Sequence, residues 1–133
     1  MINKFTKAER LKSKKEIAAV FKSKNTGLIY PVKFLFDTSV VSSGEKEPGV
    51  KVLITVPKRS FKKAVDRNRI KRLIRESYRT RKHSLLSLAE EKNLAVNLAF
   101  VYVAKEVLTF NDVNRAIGKV LHEIERKIAK NPL

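Results

Sequence analysis

The sequence predicts an α+β fold in which helices pack on one small mixed sheet, as a two-layer sandwich. Three short runs of aromatic and β-branched residues indicate strands, and three stretches with apolar residues at helical spacing indicate helices. Their order is helix, strand, strand, helix, strand, helix, and a further short strand after the second strand is allowed for. With 133 residues, of which 43% are apolar, the chain suits one domain, residues 1–133.

The N-terminal part is predicted to contain a basic arm and a short helix. Residues 1–10 are basic and weakly patterned, so we expect them to form a flexible arm. Ser13 followed by Glu16 is typical of a capping box, in which each side chain satisfies a free backbone N–H at the helix start. The helix then carries one apolar face, formed by Ile17, Val20 and Phe21.

Three segments are predicted to be strands. YPVKFLFDTSV, residues 30–40, is rich in aromatic and β-branched residues, and VKVLITVP, residues 50–57, follows a polar turn region at 42–49. The short connection predicts an antiparallel hairpin of these two strands. AVNLAFVYVAK, residues 95–105, is apolar almost throughout, which is typical of a strand buried on both faces in the middle of a sheet.

The last element is predicted to be an amphipathic helix at residues 111–130. Thr109 or Asn111 can cap it, Asp112 in the first turn suits the helix dipole, and Pro132 lies just beyond its end. Its apolar stripe consists of Val113, Ile117, Val120, Leu121, Ile124 and Ile128.

The net charge is the strongest global indication of function. Lys and Arg number 30 against 13 Asp and Glu, which gives a formal charge of +17 that repels itself unless a polyanion binds. Nucleic acid is the commonest such partner, and an anionic membrane surface is the competing one. The sequence has no cysteine, no signal segment and no apolar stretch near the roughly 18 residues that span a bilayer. We therefore expect a cytoplasmic protein that binds nucleic acid, with no membrane and no small-molecule ligand.

KKAVDRNRIKRLIRESYRTRK, residues 62–82, is predicted to form a helix with an apolar back and a cationic front. At about 100° per residue, the back consists of Ile70, Leu73, Ile74, Ser77 and Tyr78. The front consists of Asn68, Arg72, Arg75 and Arg79, flanked by Lys71 and Lys82. Arginine donates paired hydrogen bonds to phosphate oxygens, and a membrane-binding helix needs an exposed apolar face, so the pattern favours nucleic acid.

No catalytic or metal-binding constellation is visible in the sequence. Metal-dependent nucleases need clustered carboxylates, whereas Asp37, Asp66 and Asp112 are scattered along the chain. His83 and His122 lack partners at ligand or triad spacing, and no phosphate-binding glycine loop is present. The residues therefore indicate a binding protein that has no active site of its own.

The segment AVDRNRIKRLIRESYR, residues 64–79, resembles the signature of the protein subunit of bacterial ribonuclease P, A-V-x-R-N-R-I-K-R-x-x-R. The family's opening pattern, L-K-x-x-x-x-F-x-x-V-F, is similar to residues 11–21, where Ile17 stands at the position of the first phenylalanine. Residues 52–59 resemble the strand and basic loop before the signature. The resemblance covers roughly residues 10–130.

The resemblance implies a fold like a domain of ribosomal protein S5, with a left-handed crossover around the basic helix. It also implies a ribonucleoprotein whose RNA subunit holds Mg²⁺ and removes the 5′ leader of precursor tRNA. The residues implied to contact the catalytic RNA are Lys58, Arg59, Arg67, Asn68, Arg69, Lys71, Arg72 and Arg75, and the charge pattern adds Lys62, Lys63 and Arg79. The residues implied to bind the leader are Lys15, Ile17, Phe21, Lys33 and an aromatic of the first strand, Phe34 or Phe36. The alternative is a general RNA-binding protein, such as a ribosomal protein or an RNA chaperone.

Overall fold

The computed structural model describes residues 5–41 and 47–130. In chain order its elements are a 3-10 turn (Lys7–Glu9), α1 (Lys14–Phe21), β1 (Thr26–Ile29), β2 (Val32–Val40), β3 (Gly49–Thr55), α2 (Ala64–Arg81), α3 (His83–Glu91), β4 (Leu94–Tyr102) and α4 (Phe110–Lys130). Residues 1–4 of the expected arm, residues 42–46 of the expected turn and Pro132 lie outside the described residues.

The strands form one mixed sheet in the order β1-β2-β4-β3. β2 runs antiparallel to β4, β3 runs parallel to β4, and β1 forms an antiparallel hairpin with β2. The predicted central position of β4 is confirmed. The predicted hairpin of β2 with β3 is wrong, because β4 lies between them. β4 is the most continuously apolar strand, so a position with hydrogen-bonded neighbours on both edges buries it best.

Two elements differ from the predicted order. The further short strand is β1, which precedes β2 instead of following β3. The helix α3 occupies a stretch that the sequence pattern did not assign, and it places Glu90 and Glu91 on its exposed last turn. Leu85 and Ala89, one helical turn apart, are its buried residues, so a two-turn amphipathic helix is sufficient to cover the sheet here.

One face of the sheet carries the main core, beneath α2, α3 and α4. The ring of Tyr78 from α2 packs edge-on against Phe100 of β4, with ring centroids 6.0 Å apart. The predicted apolar stripe of α4 is buried in full. Thr109 is its cap, because the Thr109 hydroxyl accepts the N–H of Asp112 at 3.2 Å. The connection from β3 to its parallel neighbour β4 runs through α2 and α3, so the sheet fixes where the basic helix lies.

In the part of the chain that the structure describes, the opposite face of the sheet is covered by α1 and the segment before it. Ser13 caps α1 as predicted, since its hydroxyl accepts the N–H of Glu16 at 3.2 Å. Val20 packs with Leu35 and Ala99 in a second, smaller cluster of buried residues. Because α1 has only eight residues, it leaves part of this sheet face open around Lys33, which is exposed.

Residues 5–10, expected to belong to a flexible arm, are packed against the body of the protein. The N–H of Leu11 donates to the carbonyl of Val52 on the outer edge of β3 at 3.0 Å. The ring of Phe5 packs edge-on against Tyr78 at 6.0 Å. Lys82 is almost fully buried and its Nζ lies 2.8 Å from the carboxylate of Glu9. Lys82 was predicted to flank the front of α2, but burial and this ion pair give it a structural role.

Candidate nucleic-acid interface

The helix α2 presents the two faces that the sequence predicted. Its start is marked by Lys63 in an extended conformation, and Asp66 in the first turn suits the positive end of the helix dipole. Ile70, Ile74 and Tyr78 are completely buried against the sheet. Burying side chains of this size stabilises the fold by roughly 1.5–3 kcal/mol each. That packing fixes the rotation of the helix and therefore the direction in which its other side faces.

Basic and polar side chains cover the outer side of α2 and the loop that leads into it. We define the α2 front as Asn68, Arg69, Lys71, Arg72 and Arg75, and the entrance loop as residues 56–63. Asn68, Arg69 and Arg72 are exposed, whereas Lys71 and Arg75 are partly buried. Four predicted contacts in the entrance loop are exposed: Lys58, Arg59, Lys62 and Lys63. These side chains therefore lie exposed or partly buried on one helix and on the loop that leads into it.

Arg67 has a different environment from the rest of the predicted set. Its guanidinium donates to the carbonyl of Phe61 at 2.7 Å and to the carbonyl of Lys62 at 3.0 Å. Phe61 is itself buried beside Tyr102. These contacts tie the entrance loop to the first turn of α2, so Arg67 shapes the loop that carries Lys58 and Lys62.

Arg79 is also engaged by the protein itself. Its guanidinium donates to both carboxylate oxygens of Glu76, at 3.0 and 2.9 Å. These hydrogen bonds hold the pKa of Glu76 below its usual range and raise the pKa of Arg79. Arg79 is therefore a neutralised cation at the far end of the α2 front.

The aromatic residues predicted to contact the leader from the first predicted strand, which is β2 in the structure, are not accessible. Phe34 is 1% exposed and Phe36 is 2% exposed, and both lie in the main core. Side chains alternate along a strand, so Lys33 and Leu35 face α1 while Phe34 and Phe36 face the opposite way. Gly27 on β1 makes room for the Phe34 ring, because a Cβ at Gly27 would come within 2.6 Å of it. Neither phenylalanine can stack on RNA.

The other predicted leader residues divide between two sides of α1. Phe21 is 44% exposed, and Ile17 is partly buried against the smaller cluster on the same side of the helix. Lys15 is exposed but lies about 140° around the helix from the buried Val20, so it faces away from the sheet. Lys14, which was not among the predicted site residues, is exposed and lies on the same side of α1 as Phe21, seven residues later.

A basic concavity at one end of the sheet brings together residues from three parts of the chain. The cavity is about 680 Å³ and contains Lys33, Arg59 and Lys105, with Val101 and Val103 among its apolar lining. Lys105, which follows β4 directly, was not among the site residues predicted from the sequence. The hydroxyl of Tyr102 fixes this loop by donating to the carbonyl of Glu106 at 2.7 Å and accepting the N–H of Leu108 at 3.1 Å. Burial of the ring raises the pKa of Tyr102.

The described residues contain no group of three or more His, Cys, Asp or Glu side chains arranged to hold a metal ion. A helix long and apolar enough to cross a bilayer is likewise absent from this part of the chain.

Comparison with known proteins decides the family. The sequence model of the family described as Ribonuclease P matches residues 5–125. The chain belongs to the Ribonuclease P family. This membership gives the chain a role in tRNA processing as a subunit of the ribonuclease P holoenzyme, with the ribonuclease P RNA as its partner. The alternative of a general RNA-binding protein is not favoured.

Individual relatives agree with the ribonuclease P assignment. The Ribonuclease P protein component of Porphyromonas gingivalis (strain ATCC 33277) is 34% identical over 128 residues, covering 96% of this chain and 91% of the relative. That of Chlorobium phaeobacteroides is 31% identical over 130 residues, covering 92% and 89%. A Staphylococcus aureus RNase P protein mutant with defective mRNA degradation activity has a similar structure, with a TM-score of 0.68 over 90% of each chain at 21% identity. At that identity the likeness shows the fold alone.

Proposed function

We propose that the chain binds the ribonuclease P RNA through the α2 front and the entrance loop, and the 5′ leader of precursor tRNA beside α1. In this way it assists Mg²⁺-dependent removal of the leader by the RNA subunit. The observation that carries the proposal is the exposed Asn68, Arg69 and Arg72 on a helix whose opposite face is locked into the core. Family membership identifies the RNA partner, and the cytoplasm is where we expect the complex to act.

The protein's contribution is electrostatic. Arg and Lys side chains neutralise phosphates of the folded RNA, and the release of condensed counterions drives association. Hydrolysis of a phosphodiester requires Mg²⁺ to stabilise the developing charge, and phosphate oxygens of the RNA are suitable ligands for that ion. Among the described residues, no three His, Cys, Asp or Glu side chains are grouped to hold a metal ion. Because phosphate oxygens of the RNA suit Mg²⁺, we assign the chemistry and the Mg²⁺ to the RNA.

The surface beside α1 has the properties of a site for single-stranded RNA. Phe21 offers an exposed ring on which an unpaired base can stack, and Lys14 and Lys33 offer charge for the phosphates on either side. The basic concavity of Lys33, Arg59 and Lys105 connects this surface with the entrance loop. A leader held here would therefore approach the α2 front, where the catalytic RNA is proposed to dock.

Reconstitution tests the proposal. Ribonuclease P RNA is incubated with precursor tRNA at a Mg²⁺ concentration too low for the RNA alone to cleave, with and without the chain. Cleavage at the mature 5′ end only when the chain is present is the expected result. A structured RNA of similar length and unrelated sequence serves as competitor. Equal affinity for both RNAs, together with no stimulation of cleavage, would contradict the proposal and indicate a general RNA-binding protein.

A further inference from the structure

The segment before α1 lies along the outer edge of the sheet, facing α2. Arg10 forms an isolated parallel β-bridge with Val52 of β3, and the adjacent Leu11 donates its N–H to the Val52 carbonyl. The ion pair of Glu9 with buried Lys82 fixes the segment from the other side. Residues 10–12 are thereby placed beside the outer side of α2, although about 60 residues separate them in sequence.

Four cations meet around the cavity between this segment and α2. The cavity is about 240 Å³, and its charged lining consists of Arg10, Lys12, Lys71 and Arg75. The remaining lining is apolar and comes from Phe5, Leu11 and residues 52–54 of β3. None of the described residues that line the cavity carries a carboxylate. Like charges that line one cavity repel one another, and an anion bound among them would relieve that repulsion.

Two further observations describe how two of these cations, Arg10 and Arg75, are held. The Arg10 guanidinium lies 5.8 Å from the centroid of the Phe5 ring, a cation–π contact that restrains it at the cavity. The Nε of Arg75 is buried and has no hydrogen-bond partner among the described residues. In contrast, Arg67 and Arg79 on the same helix are engaged by protein acceptors.

We propose that this cavity, formed by Arg10, Lys12, Lys71 and Arg75, binds a backbone phosphate of the ribonuclease P RNA. Two guanidinium forks match the oxygens of one phosphate, and two ammonium groups add charge. The RNA subunit is the assigned source, because Lys71 and Arg75 belong to the α2 front. The inference rests on the proposed function, and it extends the RNA-binding surface from α2 onto the N-terminal segment and the edge of β3.

Paired substitutions test the site. Arg10→Gln with Lys12→Gln removes two exposed charges, and Lys92→Gln with Lys130→Gln removes two exposed charges elsewhere as the matched control. Affinity for ribonuclease P RNA is measured over a series of salt concentrations. The Arg10/Lys12 variant should bind roughly tenfold more weakly near physiological salt, as expected for a lost charge-assisted hydrogen bond, with a salt slope shallower by roughly one to two units. The control variant should remain close to the wild type.

Several outcomes separate this inference from the proposed function. An Arg10/Lys12 variant that matches its control, while the wild type binds and stimulates the RNA normally, would overturn the site and leave the proposed function standing. A wild type that fails to prefer ribonuclease P RNA would overturn both. Precursors with long and short leaders distinguish the source of the phosphate: an equal defect supports the RNA subunit, whereas a defect that grows with leader length would overturn that assignment. Lys12→Gln alone repeats the test should the double variant lose stability.

Discussion

At the residue scale, the partners of each arginine on α2 decide what it can do for RNA. Arg67 and Arg79 are conspicuous in the sequence, yet the first is bound to carbonyls of the entrance loop and the second to Glu76. Arg69 and Arg72 are exposed. Helical spacing predicts on which side an arginine lies, but it does not predict whether a nearby acceptor of the protein occupies it.

The Glu76–Arg79 pair predicts a gain of RNA affinity on substitution. The hydrogen bonds from Arg79 lower the pKa of Glu76. The pair therefore stabilises the folded protein above the usual pKa of a glutamate, and this stabilisation is lost as pH falls through the lowered pKa. At neutral pH the pair is intact, and Glu76→Gln removes the carboxylate charge that offsets Arg79, so the attraction of Arg79 for a phosphate should increase. We expect tighter binding of ribonuclease P RNA and a salt slope steeper by roughly one. Glu91→Gln, an equal change of charge on α3, is the control, and identical behaviour of the two variants would contradict the prediction.

The phenylalanines of α1 and β2 differ in whether RNA can reach them, because the face on which each side chain lies decides whether it is buried. The aromatic content of β2 was visible in the sequence, but the face on which each ring lies depends on which residue of the strand meets the core. Phe36 lies in the core and Phe21 lies on the surface. The sequence pattern alone left open which of these rings an RNA could reach.

Phe21→Ala and Phe36→Ala are therefore predicted to have different effects. Phe36→Ala should lower the free energy of unfolding by about 3–5 kcal/mol, because it empties a buried site. Phe21→Ala should leave stability nearly unchanged and weaken binding of precursor tRNA to the holoenzyme more than binding of mature tRNA. Denaturant unfolding and parallel binding assays measure both effects. If Phe21→Ala affects the two tRNAs equally, Phe21 does not contact the leader.

At the element scale, the amphipathic helices α1, α2 and α4 were predictable, whereas α3 and the docking of the N-terminal segment were not. The periodicity of α2 and α4 reports directly which residues are buried, because each helix packs along a single stripe. Residues 5–10 have no such stripe. They are held by contacts distant in sequence, such as Glu9 with Lys82 and Phe5 with Tyr78.

Removing Glu9 should therefore destabilise the protein far more than removing an exposed acid. Glu9→Gln leaves the buried ammonium of Lys82 without its carboxylate, and we expect the free energy of unfolding to fall by roughly 3 kcal/mol. Glu9→Gln combined with Lys82→Met should recover much of the loss, because the buried ammonium that had lost this carboxylate is removed. Unfolding in urea measures these differences against Glu91→Gln. A Glu9→Gln variant as stable as Glu91→Gln would show that the segment does not depend on this ion pair.

At the scale of the whole molecule, the sheet order determines how the cationic surfaces are combined. β3 lies at the edge because β4 occupies the centre, and this exposes the β3 edge to residues 10–12 and brings the entrance loop next to Lys33. The pairing of β3 with β4 joins segments about 40 residues apart, and local patterns favour the shorter hairpin instead. The net charge of +17 follows from the composition, but which basic side chains share a surface depends on the fold.

Precursor cleavage by ribonuclease P RNA at low Mg²⁺ tests most directly whether α2 is the docking surface for the catalytic RNA. The chain is added as wild type, as Arg69→Gln with Arg72→Gln on the α2 front, or as Arg115→Gln with Arg126→Gln on α4, which removes the same charge elsewhere. The α4 variant should stimulate cleavage like the wild type. The α2 variant should lose roughly tenfold or more of the stimulation without a change in stability, and added Mg²⁺ should restore the rate. Full stimulation by the α2 variant would contradict the claim that α2 is the docking surface for the catalytic RNA.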